Sequence, residues 1–267
     1  MTETLIIEQR GDVDWVTMNR PNSLNALNPE MVEALATYFE SLYRRHDRRI
    51  VVLRGAGRGF CSGLDLTTGV ADPEWAKTAP LQAGMATQRR IGDIYRAMRR
   101  CPQPIISLIQ GAAAGGGLSL ALASDIRIAS HKAKMNCAYI RIGLTGADMG
   151  SSYFLPRIVG LSMASELLLT GRFVHGEEAL RIGLVSHLVE ENQLEARADG
   201  LIAHMLATAP FSLRLTKEAL GYAVDAPSLD AAMAMEDRQQ ILTSQSEDHR
   251  EAMTAFMQKR APDFGDK

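Results

Sequence analysis

The chain has 267 residues, 46% of them hydrophobic and 22% charged, which suits a folded globular protein with a sizeable core and excludes wholesale disorder. Lys plus Arg (29) nearly balances Asp plus Glu (31), so the net charge of -2 carries none of the basic footprint of a nucleic-acid binder. Three widely spaced cysteines, Cys61, Cys101 and Cys137, form no CxxC, which argues against a disulfide framework or a structural zinc and favours a reducing, cytoplasmic setting.

The first five residues lack a basic region followed by an apolar core, so no secretory leader is expected. Thr4 to Gln9 and Val13 to Met18 read as strands joined by the turn Arg10-Gly11-Asp12. A polar loop, Asn19 to Leu27, precedes a helix that Asn28 should cap, with Pro29 at its first position and Glu30 in its first turn. That helix should run to about His46. Ile50 to Leu53 is a continuous β-branched and Leu run, as a buried strand requires. Gly55 to Gly69 reads as a glycine-rich loop, Ala83 to Arg99 as a helix and Pro104 to Ile109 as a strand.

No residue from Cys101 to Ser124 is charged, and the length would span a bilayer. Pro102, Pro104, Gln103, Gln110 and four glycines interrupt it, so we read a buried strand, a glycine turn and a buried helix rather than a membrane span. That helix opens at Gly115-Gly116-Gly117 and ends near Ala123, and Asp125 to Ala129 is a further strand. From about Gly150 the pattern is mainly helical, broken by a short strand near Leu184 to Leu188. Ala196 to Ala209, Ser212 to Val224, Ser228 to Thr243 and Glu247 to Arg260 read as closing helices. Alternating strands and helices argue for an α/β core followed by a helical tail.

Two glycine-bearing segments can carry chemistry. Gly59-Phe60-Cys61-Ser62-Gly63-Leu64-Asp65-Leu66 follows a strand, and Gly111-Ala112-Ala113-Ala114-Gly115-Gly116-Gly117-Leu118 joins a strand to a helix. The first amides of a helix have no internal partner, and glycine lets a backbone approach a ligand closely. One amide from each segment can converge on one oxygen as an oxyanion hole. Plain strand-to-helix turns are the alternative.

These segments resemble those of the crotonase superfamily, the enoyl-CoA hydratase/isomerase family. The resemblance covers nearly the whole chain. It extends to Asn19-Arg20-Pro21, Asn25-Ala26-Leu27, Ser124-Asp125-Ile126-Arg127-Ile128-Ala129, Leu155-Pro156-Arg157, Gly171-Arg172 with Glu177-Glu178-Ala179, Gly183-Leu184-Val185 and Ala255-Phe256 with Lys259-Arg260. It implies a spiral of ββα units, an acyl-CoA-binding core over 1–200 and a helical oligomerisation region over 201–267. It implies a homotrimer or a dimer of trimers, and a site for acyl-CoA thioesters whose enolate is stabilised by the backbone amides of Leu64 and Gly116. Gly63, Asp65, Leu66 and Gly115 would line the substrate, with Lys259 at a CoA phosphate and Phe256 beside the adenine. No cofactor is implied beyond the coenzyme A of the substrate, and neither a metal nor a membrane.

Hydratases of the family carry two glutamates where this chain has Ser119 and Tyr139. Neither can be the carboxylate that activates water. Asp148, in Gly143-Leu144-Thr145-Gly146-Ala147-Asp148-Met149-Gly150, resembles the catalytic aspartate of dienoyl-CoA isomerases, at a spacing one residue longer; a helix cap is its alternative. Tyr139 can position substrate or donate a proton, or be a packed aromatic. Ser119 can bind a water or a substrate hydroxyl, or line the wall. Asp65 and Asp125 are expected to bond locally. The function implied is enoyl-CoA hydration in fatty-acid metabolism, with isomerisation through Asp148 or CoA-thioester binding without catalysis as alternatives. Two further readings compete. Gly59 to Gly63 matches a cysteine version of a nucleophile elbow, which would mean a thiol hydrolase, and Gly55-Ala56-Gly57 begins a dinucleotide loop that fails at Phe60.

Overall fold

The computed structural model describes residues 3–68 and 77–267, so the far end of the loop expected from Gly55 to Gly69 lies outside the described residues. Strands β1 (Leu5–Arg10) and β2 (Val13–Met18) pair antiparallel across the Gly11 turn, where φ is +58°. Helix α1 (Pro29–Ser41) starts as its cap residues dictate: Asn28 Oδ1 accepts the Met31 amide at 3.0 Å and Pro29 takes a first-turn position. It ends earlier than His46, passing into a 3-10 turn at Leu42–Arg44.

Strand β3 (Ile50–Gly55) joins β2 in parallel. Helix α2 (Pro80–Arg100) follows, then β4 (Ile105–Ile109), whose five residues are all buried, as a strand covered on both faces must be. A short strand, β5 (Ala112–Ala114), leads into helix α3 (Gly116–Ala123), with every residue buried. Strand β6 (Ile126–Ser130) pairs with β4, and β7 (Lys134–Asn136) with β5. A 3-10 turn (Ala138–Ile142) and helices α4 (Ser151–Val159) and α5 (Leu161–Thr170) precede β8 (Val174–His175), α6 (Gly176–Arg181) and β9 (His187–Val189).

One six-stranded sheet runs β1-β2-β3-β4-β6-β9, parallel after its first pair, and a three-stranded sheet runs β5-β7-β8. The strand expected at Leu184 to Leu188 sits a little later, as β9. The small sheet was not anticipated: its strands have only two or three residues each, and Ala112–Ala114 has little strand preference of its own, so pairing partners impose it.

Met1–Cys101 and Ile105–Ala198 form one compact unit, and Pro102–Pro104 with Asp199–Lys267 a second. Helices α7 (Leu194–Leu206), α8 (Pro210–Ala223), α9 (Leu229–Ser244) and α10 (Glu247–Gln258) close the chain. In the second unit Ser228 and Ser246 cap α9 and α10, Lys217 is buried against the Gln103 carbonyl at 2.7 Å, and Arg214 grips Asp266 through two hydrogen bonds. Among the described residues no helix is long and apolar enough to cross a membrane. The apolar run of Cys101 to Ser124 is instead the buried strand, turn and helix that its prolines and glycines indicated.

Candidate active site

The two glycine-bearing segments lie side by side. Cys61 N donates to Ala112 O at 2.9 Å and Ala114 N returns to Cys61 O at 3.0 Å, so the first segment is zipped along β5. On the other side, Leu27 N donates to Gly63 O (2.8 Å) and Asp65 N to Leu27 O (3.0 Å). These bonds hold the residues flanking Leu64, while the Leu64 amide itself has no acceptor among the described residues. The Gly116 amide, first in α3, likewise has none, and it carries the partial positive charge of a helix start.

Glycine is required where the segments meet. Gly63 has φ +97°, and a Cβ there would sit 2.8 Å from Ala114 O and 3.5 Å from Gly116 N. A Cβ on Gly117 would overlap the Cys61 carbonyl. Buried Asn25 shapes the approach: its Oδ1 accepts the Arg20 amide at 2.9 Å, while its Nδ2 donates to the carbonyls of Ala56 (2.9 Å) and Gly59 (2.8 Å).

Around Gly116 stand Met149 Sδ, Leu27 Cδ1 and the Tyr95 hydroxyl, all within 3.0–3.1 Å of where a Cβ would be. The Tyr95 hydroxyl lies 3.2 Å from the Gly116 carbonyl and 3.1 Å from Met149 Sδ, with one proton to give. Tyr139 lays its ring against Gly115 and pairs its hydroxyl with Ser119 Oγ at 2.8 Å. Both phenols are buried, and desolvation of the charged form pushes their pKa values up, so both stay neutral in the working range.

Asp148 precedes Met149 and is half-buried. Its Oδ1 accepts the Met149 amide at 2.7 Å and the Gln88 Nε2. Desolvation holds its carboxyl above the usual aspartate value, against the lowering effect of those two bonds. The helix-cap alternative fails: Gly150 occupies the cap position of α4 and no side chain caps that helix. Met149 has φ +49° and Gly150 φ +81°, a tight reversal that turns the chain into α4.

Asp65 bonds locally, as anticipated: Thr67 donates to its Oδ1 through both amide (3.0 Å) and hydroxyl (2.6 Å), and Arg20 to its Oδ2 (2.9 Å). Those bonds, Thr67 first, keep its carboxyl well below the usual range, so it is occupied as a turn and ion-pair group. Asp125 departs from the expectation of local bonding. It accepts Ile105 N and Arg99 Nη1, both at 2.8 Å, because the parallel crossover brings β4 alongside its segment. Leu66 is 71% exposed. In the second unit Phe256 is 81% exposed, and Lys259 is the left-handed residue that ends α10.

Cys61 cannot be a hydrolase nucleophile. It is fully buried, and burial pushes its thiol up to about 12, leaving essentially no thiolate at neutral pH. Among the described residues no cluster of His, Cys, Asp or Glu is arranged to hold a metal ion.

Sequence reading missed Gln88 and Tyr95. Their spacing of seven places them on one face of α2, a signal the sequence does carry. Nothing in it says that this face meets Gly116 and Asp148.

A family model described as enoyl-CoA hydratase/isomerase matches residues 8–267. A Mycobacterium tuberculosis protein named "Probable enoyl-CoA hydratase EchA12" is 39% identical over 98% of this chain and 92% of its own length. The 1,2-epoxyphenylacetyl-CoA isomerase of Escherichia coli K12 is 35% identical over the full length of both chains. Among solved structures, the enoyl-CoA hydratase of Bacillus anthracis superposes with a TM-score of 0.91 at 28% identity, covering 99% of this chain and 100% of that one.

Proposed function

The chain belongs to the enoyl-CoA hydratase/isomerase family, and from that premise we propose that it is an enzyme that hydrates 2-enoyl-CoA thioesters to 3-hydroxyacyl-CoA through a thioester enolate. The observation that carries this reading is the pair of amides, Leu64 and Gly116, that have no acceptor among the described residues, at the junction of two glycine segments with Asp148 attached to the same wall. The thioester oxygen accepts both amides. As water adds to C3, the C2=C3 electron pair moves onto that oxygen, and Asp148 takes the proton that water releases. The enolate then collapses and C2 takes the proton back from Asp148. Preorganised amides at the developing charge are usually the largest single contribution to such a reaction.

Ser119 and Tyr139 share one hydrogen bond, which leaves one of the two hydroxyl protons free, so the neutral Tyr139 phenol can position the substrate or donate a proton while Ser119 lines the wall. Gly63 and Gly115 bring the backbone against the thioester. Asp65 holds the Leu64 segment through Arg20, Leu66 is available to the substrate at the surface, and Lys259 and Phe256 serve the CoA nucleotide, whose phosphates suit a lysine and whose adenine suits an exposed ring. The enzyme needs no cofactor beyond the CoA of its substrate. We place it in the cytoplasm and in fatty-acid metabolism.

The single carboxylate favours a second reaction, in which the same two amides hold a dienolate. Asp148 is a single proton carrier, and one carboxylate suffices to move a proton from C4 to C2, which is double-bond isomerisation. Mass spectrometry of products from a small panel of enoyl-CoA substrates decides between them. A gain of one water is expected; an unchanged mass with a shifted absorption spectrum means isomerisation, and binding without turnover on every substrate sinks both.

The same proposal includes a homotrimer or a dimer of trimers. Helix α9 has no buried residue, and its Leu229, Met233, Ile241 and Leu242 are exposed. Apolar faces of that kind ordinarily meet a partner. Light scattering at micromolar concentration should give three or six times the chain mass; a monomer refutes it.

A further inference from the structure

Resting on the role given to Asp148, the question is which carboxylate oxygen carries the proton and what holds it in place. An ionised carboxylate only accepts hydrogen bonds, so the Gln88 amide must present its nitrogen to it. Gln88 Nε2 and the Met149 amide both donate to Oδ1, whereas Oδ2 accepts no hydrogen bond among the described residues. We propose that Gln88 is a positioning residue that, together with the Met149 amide, ties up Oδ1 of Asp148 and leaves Oδ2 as the oxygen that takes the proton from water and returns it to C2.

The geometry gives both donors a common purpose. The Met149 amide lies on the same short turn as Asp148 and cannot by itself fix the rotation of the carboxyl plane. Gln88 approaches from a different element, α2, sixty residues away. Two donors on one oxygen, from independent directions, define that plane and direct Oδ2 away from both. Tyr95, two turns further along α2, holds the Gly116 side of the site, so one helix face sets both the proton carrier and the oxyanion donor. Among the described residues, the titratable groups that feel Asp148 are Tyr95 from α2 and Tyr139 from the 3-10 turn; both are neutral phenols. Among the described residues, the donors that meet the charge on Asp148 are Gln88 and the Met149 amide. Charge-assisted bonds of this type are about twice as strong as neutral ones.

The test is the pH dependence of kcat/KM for the parent, Gln88→Met and Gln88→Glu, with Asp148→Asn measured in parallel and thermal melting confirming that each is folded. Methionine keeps the length of the side chain and removes the donor. Loss of a bond that favours the ionised form must move the acid limb of the profile to higher pH. On that limb Gln88→Met should be about tenfold slower than the parent. The Gln88→Met plateau at alkaline pH should also be lower, because the carboxyl plane is no longer fixed, with little change in KM. Gln88→Glu puts a second carboxylate beside Oδ1 and should move the limb further. Superimposable profiles, or an equal loss at every pH, overturn the proposal. If Asp148→Asn is inactive while the Gln88→Met limb stays put, only the role of Gln88 falls. If Asp148→Asn is fully active, the role of Asp148 falls and that of Gln88 with it.

Discussion

Asp148→Asn lowers kcat by about 10²–10⁴ with little change in the affinity for CoA thioesters, because it removes the proton carrier and keeps the shape. Asparagine still accepts the Met149 amide and the Gln88 side chain at Oδ1, so the turn survives. What is lost is an oxygen that can bind a proton and give it back. The pH dependence gives a second readout. Burial holds the Asp148 carboxyl above the ordinary aspartate value, so the base loses its charge at a higher pH than a solvated aspartate would. In the parent, kcat/KM falls as pH drops through that value, and Asp148→Asn flattens the limb. Ser119→Ala, by contrast, removes one hydrogen bond to Tyr139 and costs about fivefold or less. Steady-state kinetics on the best substrate of the panel checks both. Full activity in Asp148→Asn would leave Tyr139 or a bound water as the leading candidate.

Gly116→Pro is the second large effect. Proline fits the first turn of a helix, where its missing amide has no helical partner, so the substitution deletes the donor without breaking α3. It also adds a Cβ into the space held by Met149 Sδ, Leu27 Cδ1 and the Tyr95 hydroxyl, at 3.0–3.1 Å. Gly116→Ala adds the same Cβ and keeps the amide, so the ratio of the two reports the loss of the donor together with the ring Cδ that proline puts in its place. Loss of one oxyanion donor typically costs 10²–10³, and Gly116→Pro should be slower than Gly116→Ala by about that factor in kcat. Equal rates for the pair would mean that the Gly116 amide does not meet the oxyanion.

The outer architecture was legible in the residues. Asn28-Pro29 announced α1, Gly11 the first hairpin, and the uncharged β-branched runs the buried parallel strands. These signals are local: a cap, a turn and a hydrophobic period depend on neighbours a few residues away. The two glycine segments were legible for the same reason, since a strand-to-helix glycine turn states its backbone needs on its own. Cys61 shows where such a signal misleads. Its flanking glycines match an elbow, yet the Leu64 side of the segment is bonded to Leu27 and the other to β5, which buries the thiol completely.

By itself the sequence determined the α/β pattern, the helical tail, the two glycine segments and the absence of glutamate at positions 119 and 139. Only the tertiary structure decided that the Leu64 and Gly116 amides have no acceptor among the described residues and meet at one junction, that Ser119 and Tyr139 hydrogen-bond to each other, that Asp125 braces β4, and that Gln88 reaches Asp148 across sixty residues. The reason is range. Backbone preference is set within one or two turns of chain, but whether a polar group is spare, and what a carboxylate touches, depends on which distant elements the core brings beside it.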